Sequence, residues 1–422
     1  MKIVKFGGAS TRDAAGIKKV TAIIQNQMDS GLLIVVSALG KTTNAMENLL
    51  HVYYHNKSDK ENVFSSLKEA HFSIINELFD EKQKDVFDEI NSLFNTLHTY
   101  VNGSFSENYD FEYDQIVSFG ELFASKIVYF YLKYNNIPIE WVDARNIIRT
   151  DNTYGEGRVD WEKTVRKIKK IITPFYSENK NKIVITQGFI GGTTEGFTTT
   201  LGREGSDFSA AILGFSLDAE SVTIWKDVDG LLNADPKLFN DTVKLDKIPY
   251  QEAIELAYYG ASIIHPKTLQ PLQNKKIPLY VKSFIHEEND GSIIHDFNIK
   301  RLIPCYIVKK EQVLISISPK DFSFIAENNL STIFGAFAFF GVKINLMQNS
   351  AISFSFCVDN KSNINELIEE LQTEFYVKYN SNVELFTIRY YDKNSIEKVT
   401  KGKTVILEQK NRTTVQYVMK KG

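Results

Sequence analysis

The run LLIVVSA at residues 32–38 is apolar without alternation, and no other feature constrains the fold as strongly. A strand with one wet face alternates apolar and polar side chains, whereas a strand covered on both faces reads as a continuous apolar run. Ahead of it, KIVKF at residues 2–6 is a short β run closed by Gly7 and Gly8, and AAGIKKVTAIIQNQM at 14–28 carries apolar residues at helical spacing. Residues from about 44 to 135 are mostly helical, rich in Phe, Leu and Lys with few breakers. KIVITQGFIGG (182–192) and SVTIWKDVDGLL (221–232) are two further strands, each running into a glycine-bearing loop. Strands alternating with helices predict a mostly parallel sheet covered by helices. In such sheets the active groups gather beyond the carboxyl ends of the strands, where these glycine-bearing loops fall.

The pattern changes after the polar, turn-forming HEENDGS at 286–292. From Val313 it reads strand (VLISIS), helix (about 323 to 340), strand (VKINLM), strand (AISFSFCV), helix (NINELIEELQTEF) and strand (VELFTIR). That is a βαββαβ unit, the split pattern of a small α+β sandwich. Two strand-like runs follow, TVILEQ and TVQYVM, without a second pair of helices. One large α/β domain with a compact appendage is expected.

A chain of 422 residues with a formal net charge of −3 gives no reason to expect nucleic acid or an anionic membrane as partner. Its longest apolar stretch, around Ile333 to Val342, is interrupted by Gly335 and Gly341 and is too short to span a bilayer. Met1 leads at once into a strand with no signal-like run, so a cytoplasmic location is expected. Cys305 and Cys357 form no cluster, which argues against a disulfide framework or a zinc site. His51 and His55 stand four apart on an expected helix, but no third ligand accompanies them, so no metal site is expected.

The loops carry the chemistry. In VKFGGAS, Lys5 precedes two glycines whose bare backbone lets amides approach phosphate oxygens, although a strand-end lysine can also simply reach solvent. VVSALGKTTNAM repeats the design with Ser37 and Thr43. SFGELFASKIV sets Glu121 in the first turn of a helix, where a carboxylate also serves as routine capping. TLGREGSDFSA places Arg203, Ser206 and Asp207 in a glycine-relaxed turn where a helix begins. By itself this last segment is equally a capped helix start and an anion site. WKDVDGLLNADPK sets Lys226, Asp227 and Lys237 after a strand, suited to a nucleotide and its metal or to a plain turn.

Taken together, KFGGAS, VVSALGKTTNAM, SFGELFAS, TLGREGSDFSAA, WKDVDGLLNADPK and YGASIIHPKTL, in this order, resemble the signature segments of the aspartate kinases, members of the amino-acid kinase family. The resemblance runs from residue 1 to about 295 and continues into an ACT-like region. It implies a three-layer αβα sandwich over residues 1–295. An α+β ACT-like regulatory region at 304–422 is implied beside it, with one complete unit at about 311–390 and a second, truncated one. The implied reaction is ATP-dependent phosphorylation of the side-chain carboxylate of L-aspartate, with Mg²⁺ carried by ATP, the first step toward lysine, threonine and methionine. By position, Lys5 and Asp207 match the catalytic pair. Ser37, Thr43, Glu121, Arg203 and Ser206 match the aspartate site, and Lys5, Gly7, Gly8, Lys226, Asp227, Lys237 and Ser262 match the nucleotide site.

Three departures stand out on these positions. Ser262 replaces a common Lys or Arg, Leu232 replaces a common aromatic, and Glu204 stands where a small or neutral residue is frequent. In lysine-sensitive relatives the effector's ammonium groups meet carboxylates where this chain has Asn345 and Ala351, so lysine feedback is expected to be weak or differently built. An amino-acid effector and a homodimer joined through the ACT-like region are expected. Two other readings stand beside the aspartate one. A glutamate or N-acetylglutamate kinase of the same fold is one, and Glu121 argues against the acetylated substrate. A catalytically idle effector-binding protein is the other, and the presence of Lys5, Arg203 and Asp207 argues against it.

Overall fold

The continuous apolar runs become buried strands: Leu32, Leu33, Ile34, Val35 and Val36 are each at most 1% exposed. In the computed structural model of the chain, the described residues are all but 28–30, 81–82, 179–181, 262–263, 300–302, 322 and 422. Their contacts divide them into two units. The first comprises Met1–Leu231, Lys244–Ile254 and Ile264–Asn298, and the second Leu232–Val243, Glu255–Ile263 and Ile299–Gly422. Two short upstream segments, Leu232–Val243 and Glu255–Ile263, thus group with the C-terminal residues. Among the described residues no helix is long and apolar enough to cross a membrane.

The first unit is built on an eight-stranded sheet. Its strand order is Ile139–Trp141, Ile183–Gln187, Leu32–Val36, Lys2–Phe6, Ser221–Lys226, Leu279–Ser283, Ser292–His295 and Lys247–Pro249. The first six are parallel. Ser292–His295 runs antiparallel to its neighbour Leu279–Ser283 and parallel to Lys247–Pro249. Chain order reverses at Lys2–Phe6, which has Leu32–Val36 on one side and Ser221–Lys226 on the other. Beyond the carboxyl end of such a strand the loops on either side diverge and leave a crevice.

Side-chain alternation decides what faces the crevice. Val4 and Phe6 point into a core shared with the helices Thr42–Tyr54 and Phe119–Tyr134 through Met46, Leu49 and Phe123. Ile3 points the other way, toward the helix Gly205–Ser216. A Cβ on Gly214 of that helix would lie 2.7 Å from Val222 Cγ2 and 3.9 Å from Ile3 Cγ1, so only glycine allows this close approach. Lys5 shares the face of Ile3 and so emerges beneath the start of the same helix.

The second unit holds a six-stranded antiparallel sheet ordered Ile344–Asn349, Phe354–Asp359, Cys305–Pro319, Phe375–Arg389, Thr414–Lys421 and Lys403–Lys410. The helices Glu327–Phe339 and Ile364–Glu374 cover one part of it, through Ile333, Phe337, Leu367 and Leu371. The two 15-residue strands serve both halves of the sheet, with a register shift between Lys309 and Gln312, where Glu311 takes a left-handed φ of 53°. In the half of the sheet beyond that shift, Cys305–Lys309 pairs with Leu385–Arg389. A helix unforeseen in the sequence, Lys393–Thr400, joins that half under an Asp392–Ser395 capping box. Asn345 is fully engaged inside this unit. Its Oδ1 accepts from Lys309 at 2.6 Å, and its Nδ2 donates to Gln312 at 2.7 Å and to Asp359 at 2.8 Å.

Candidate active site

Helix Gly205–Ser216 begins where the sequence suggests, and its first turn carries Asp207. The Asp207 carboxylate, 3% exposed, lies 2.6 Å from Lys5 Nζ and 3.6 Å from Lys226 Nζ. Burial by itself would raise this carboxyl, but the two ammonium groups outweigh it and hold Asp207 below the usual carboxylate range. Two lysines from adjacent parallel strands are thus gathered on one buried acid at the carboxyl edge of the sheet. The helix start adds positive potential to the same place.

Across the crevice, Glu121 sits in the first turn of the helix Phe119–Tyr134 and is 2% exposed. Ala38 N–H donates to its Oε1 at 3.4 Å, while Oε2 has no hydrogen-bond partner among the described residues. Burial pushes its carboxyl up to about 8, against the pull of backbone amides and of Lys5. A buried, poorly solvated acid of this kind favours a cationic partner.

A cleft of about 600 Å³ joins these groups, lined by Lys5, Ser37, Thr43, Glu121, Arg203, Ser206, Asp207 and Lys226 among others. The structure therefore brings eight of the residues singled out from the sequence to one surface. Arg203 is exposed and makes no ion pair or hydrogen bond among the described residues. Gly7 and Gly8 do not line the cleft. A Cβ on Gly8 would come within 2.7 Å of Ala38 O and 2.9 Å of Gly40 O, so its bare backbone lets the first two strand-end loops touch. Asp227 is exposed just past the end of strand Ser221–Lys226 and is not among the cleft's walls. Lys237 and Leu232 belong to the second unit, and Ser262 lies outside the described residues.

Glu204 now has a physical account. It adopts a left-handed φ of 54° at the cap of helix Gly205–Ser216, a conformation that glycine takes without strain. Its Oε2 accepts the backbone N–H of His265 at 2.8 Å. Lys267 Nζ donates to Leu201 O at 2.6 Å, so the two segments are latched twice. His265 is the cap of helix Pro266–Asn274, its Nδ1 accepting from Lys267 N–H at 3.3 Å, which is a structural role.

Four cleft residues escaped the sequence reading, one of them Gly155, whose N–H donates to Asp114 at 3.0 Å. Phe189 directly follows the strand-end glycine of TQGF, a position that could have signalled it. Asp110 and Tyr113 come from helix Tyr109–Val117, which carries no recognisable motif. No group of three or more metal-binding side chains occurs among the described residues. His51 and His55 pack edge to face on each other at 4.7 Å.

Residues 1–283 match the amino acid kinase family. The bifunctional aspartokinase/homoserine dehydrogenase 2 of Arabidopsis thaliana is 29% identical over 392 residues, covering 88% of this chain and 41% of that protein. The chain thus spans less than half the length of that plant relative. The lysine-sensitive aspartokinase 3 of Escherichia coli is 27% identical over 358 residues, covering 85% of this chain and 78% of that protein. Among solved structures, E. coli aspartokinase III in complex with aspartate and ADP superposes with a TM-score of 0.84 at 24% identity, covering 99% and 96% of the two chains. The aspartate kinase of Clostridium acetobutylicum gives 0.78 at 23% identity, with 100% and 96% covered. Both superpositions establish a common fold.

Proposed function

Because this chain belongs to the amino acid kinase family, we propose that it transfers the γ-phosphoryl group of ATP to the side-chain carboxylate of L-aspartate, giving 4-phospho-L-aspartate and ADP. The observation that carries the reading is the pairing, in one cleft, of an uncommitted Arg203 and two strand-end lysines with the buried Glu121 carboxylate. An amino dicarboxylate presents the complementary set: two carboxylates for the cations and one ammonium for the acid. The E. coli relative solved with aspartate and ADP is consistent with it.

In this reading Arg203 holds the α-carboxylate as a two-pronged pair, and Glu121 takes the ammonium, with Ser37, Thr43 and Ser206 as hydroxyl partners. The β-carboxylate is already an anion at neutral pH, so one of its oxygens attacks the γ-phosphorus without a general base. The bond from the γ-phosphorus to the β,γ-bridging oxygen breaks, and ADP leaves with that electron pair. The obstacle is repulsion between two anions, and Lys5 meets it by placing a fixed positive charge beside the transferring group. Asp207 keeps Lys5 and Lys226 in position. Gly7, Gly8, Lys226, Asp227, Lys237 and Ser262 are assigned to the nucleotide. Mg²⁺ would arrive on the phosphates and spread their charge. The pathway step toward lysine, threonine and methionine, a homodimer through the ACT-like region and an amino-acid effector belong to the same proposal. Since Asn345 is engaged by Lys309, Gln312 and Asp359, lysine is assigned at most a weak role there.

Release of ADP, coupled to an absorbance readout, tests the reading across L-aspartate, L-glutamate and N-acetyl-L-glutamate. Turnover is expected with aspartate and not with the acetylated acid, whose amide cannot satisfy Glu121. Preference for N-acetylglutamate, or ADP release indifferent to the acid, would overturn it.

A further inference from the structure

Beyond strand Leu279–Ser283, on the carboxyl edge that bears Lys5 and Lys226, an imidazole is held in a fixed orientation. His286 Nδ1 lies 2.8 Å from Asp229 Oδ1, and His286 N–H donates to Ser283 Oγ at 3.1 Å. Ser283 is 1% exposed and stands in register with Lys226. Phe284 N–H donates to Lys226 O at 2.7 Å, and Lys19 Nζ donates to Ile285 O at 2.7 Å. The turn that carries His286 is therefore tied to the sheet from two sides, while the ring itself is half exposed. Nothing in the catalytic reading uses this pair.

The sheet order says what it faces. The acid-binding residues Ser37 and Thr43 follow strand Leu32–Val36, on one side of Lys5. A nucleotide whose γ-phosphoryl rests at Lys5 must extend the other way, over strands Ser221–Lys226 and Leu279–Ser283. Two strand steps amount to about 10 Å, which carries a nucleotide from its terminal phosphate to its sugar. Asp229 accepts only, so Nδ1 carries a proton and Nε2 is the ring nitrogen left to meet a ligand. A hydroxyl both donates and accepts, so it can pair with Nε2.

We propose that His286, oriented by Asp229 and Ser283, binds a ribose hydroxyl of the nucleoside triphosphate through Nε2. The inference rests on the phosphoryl-transfer reading and extends it to the sugar. It makes the enzyme selective for ribonucleotides through a residue in none of the motifs that identify the fold.

The test compares ATP, 2′-deoxy-ATP and 3′-deoxy-ATP as phosphoryl donors, with wild-type protein, His286→Ala and His286→Asn. Wild-type protein is expected to show a KM about three- to tenfold higher for one of the deoxy analogues, the worth of one neutral hydrogen bond. In His286→Ala the KM for ATP should rise by the same factor, the discrimination should vanish, and the KM for aspartate should hold. His286→Asn, whose amide oxygen can accept, should restore part of the discrimination. Equal use of all three donors by wild-type protein, or discrimination that survives His286→Ala, would overturn the proposal. Absence of any aspartate-dependent ADP release in wild-type protein would instead defeat the kinase reading.

Discussion

Glu121 couples substrate binding to pH in a way that can be worked through. Burial raises its carboxyl to about 8 in the free protein, so at pH 7 about nine-tenths of the molecules carry a neutral acid there. An incoming ammonium needs the carboxylate, so binding must expel that proton. The apparent KM for aspartate should therefore scale as one plus the ratio of protonated to ionised Glu121. Relative to its high-pH limit it should be about tenfold higher at pH 7 and about a hundredfold higher at pH 6, flattening above pH 8. Calorimetry in two buffers of different ionisation enthalpy should find about 0.9 proton released per aspartate bound at pH 7. The stability effect has its own sign. A folded-state value above the unfolded one favours the fold below about pH 4.5, and that contribution is lost as pH rises through about 8. Glu121→Gln should abolish both the pH slope and the proton release. It should also raise the KM about 10- to 100-fold for the missing charged contact. A wild-type KM that stays flat from pH 6 to 8.5, or the same slope in Glu121→Gln, would refute the coupling.

Three further outcomes are expected. Arg203→Ala should raise the aspartate KM far more than the ATP KM, with kcat/KM falling about 30- to 1000-fold for a loss of roughly 2–4 kcal/mol; unchanged aspartate kinetics in a folded variant would remove the assignment. Lys5→Ala should lower kcat by about 100-fold or more, and combining it with Asp207→Ala should cost less than the two losses together, because the pair acts as a unit at 2.6 Å. Both Glu204→Ala and Glu204→Gly lose the acceptor for His265 N–H, but only glycine relieves the left-handed strain. In thermal or urea unfolding Glu204→Gly should therefore be the more stable of the two by about 0.5–1 kcal/mol, and the reverse order would discard the strain argument.

Much of the first unit was legible locally. Continuous apolar runs ending in glycines predicted parallel strands with chemistry at their ends, because a strand covered on both faces tolerates few polar residues. The turn TLGREGSDFSA announced a helix start, which is where helix Gly205–Ser216 begins, and the anion site read beside it belongs to the proposed function. Other features required the folded chain. Lys5 meets Asp207 because strand alternation turns Lys5 toward one particular helix, and no local pattern specifies which helix covers that face. The state of Glu121 depends on walls contributed by distant segments, since desolvation is a property of surroundings and not of the helix turn that bears it. Glu204 was opaque as a letter, and its φ and its bond to His265 exist only once two remote segments meet. In the second unit, Lys393–Thr400 was overlooked because eight residues with only two apolar positions, Ile396 and Val399, carry little periodicity, and the pairing of Cys305–Lys309 with Leu385–Arg389 was hidden because hydrogen bonding across a sheet ignores order along the chain. Sequence by itself thus determined the elements and the chemical inventory of their loops. Which loops share a cleft, which charges are paired and which acid stays neutral were decided by tertiary packing, which sets the distances and the local dielectric on which electrostatic energy depends.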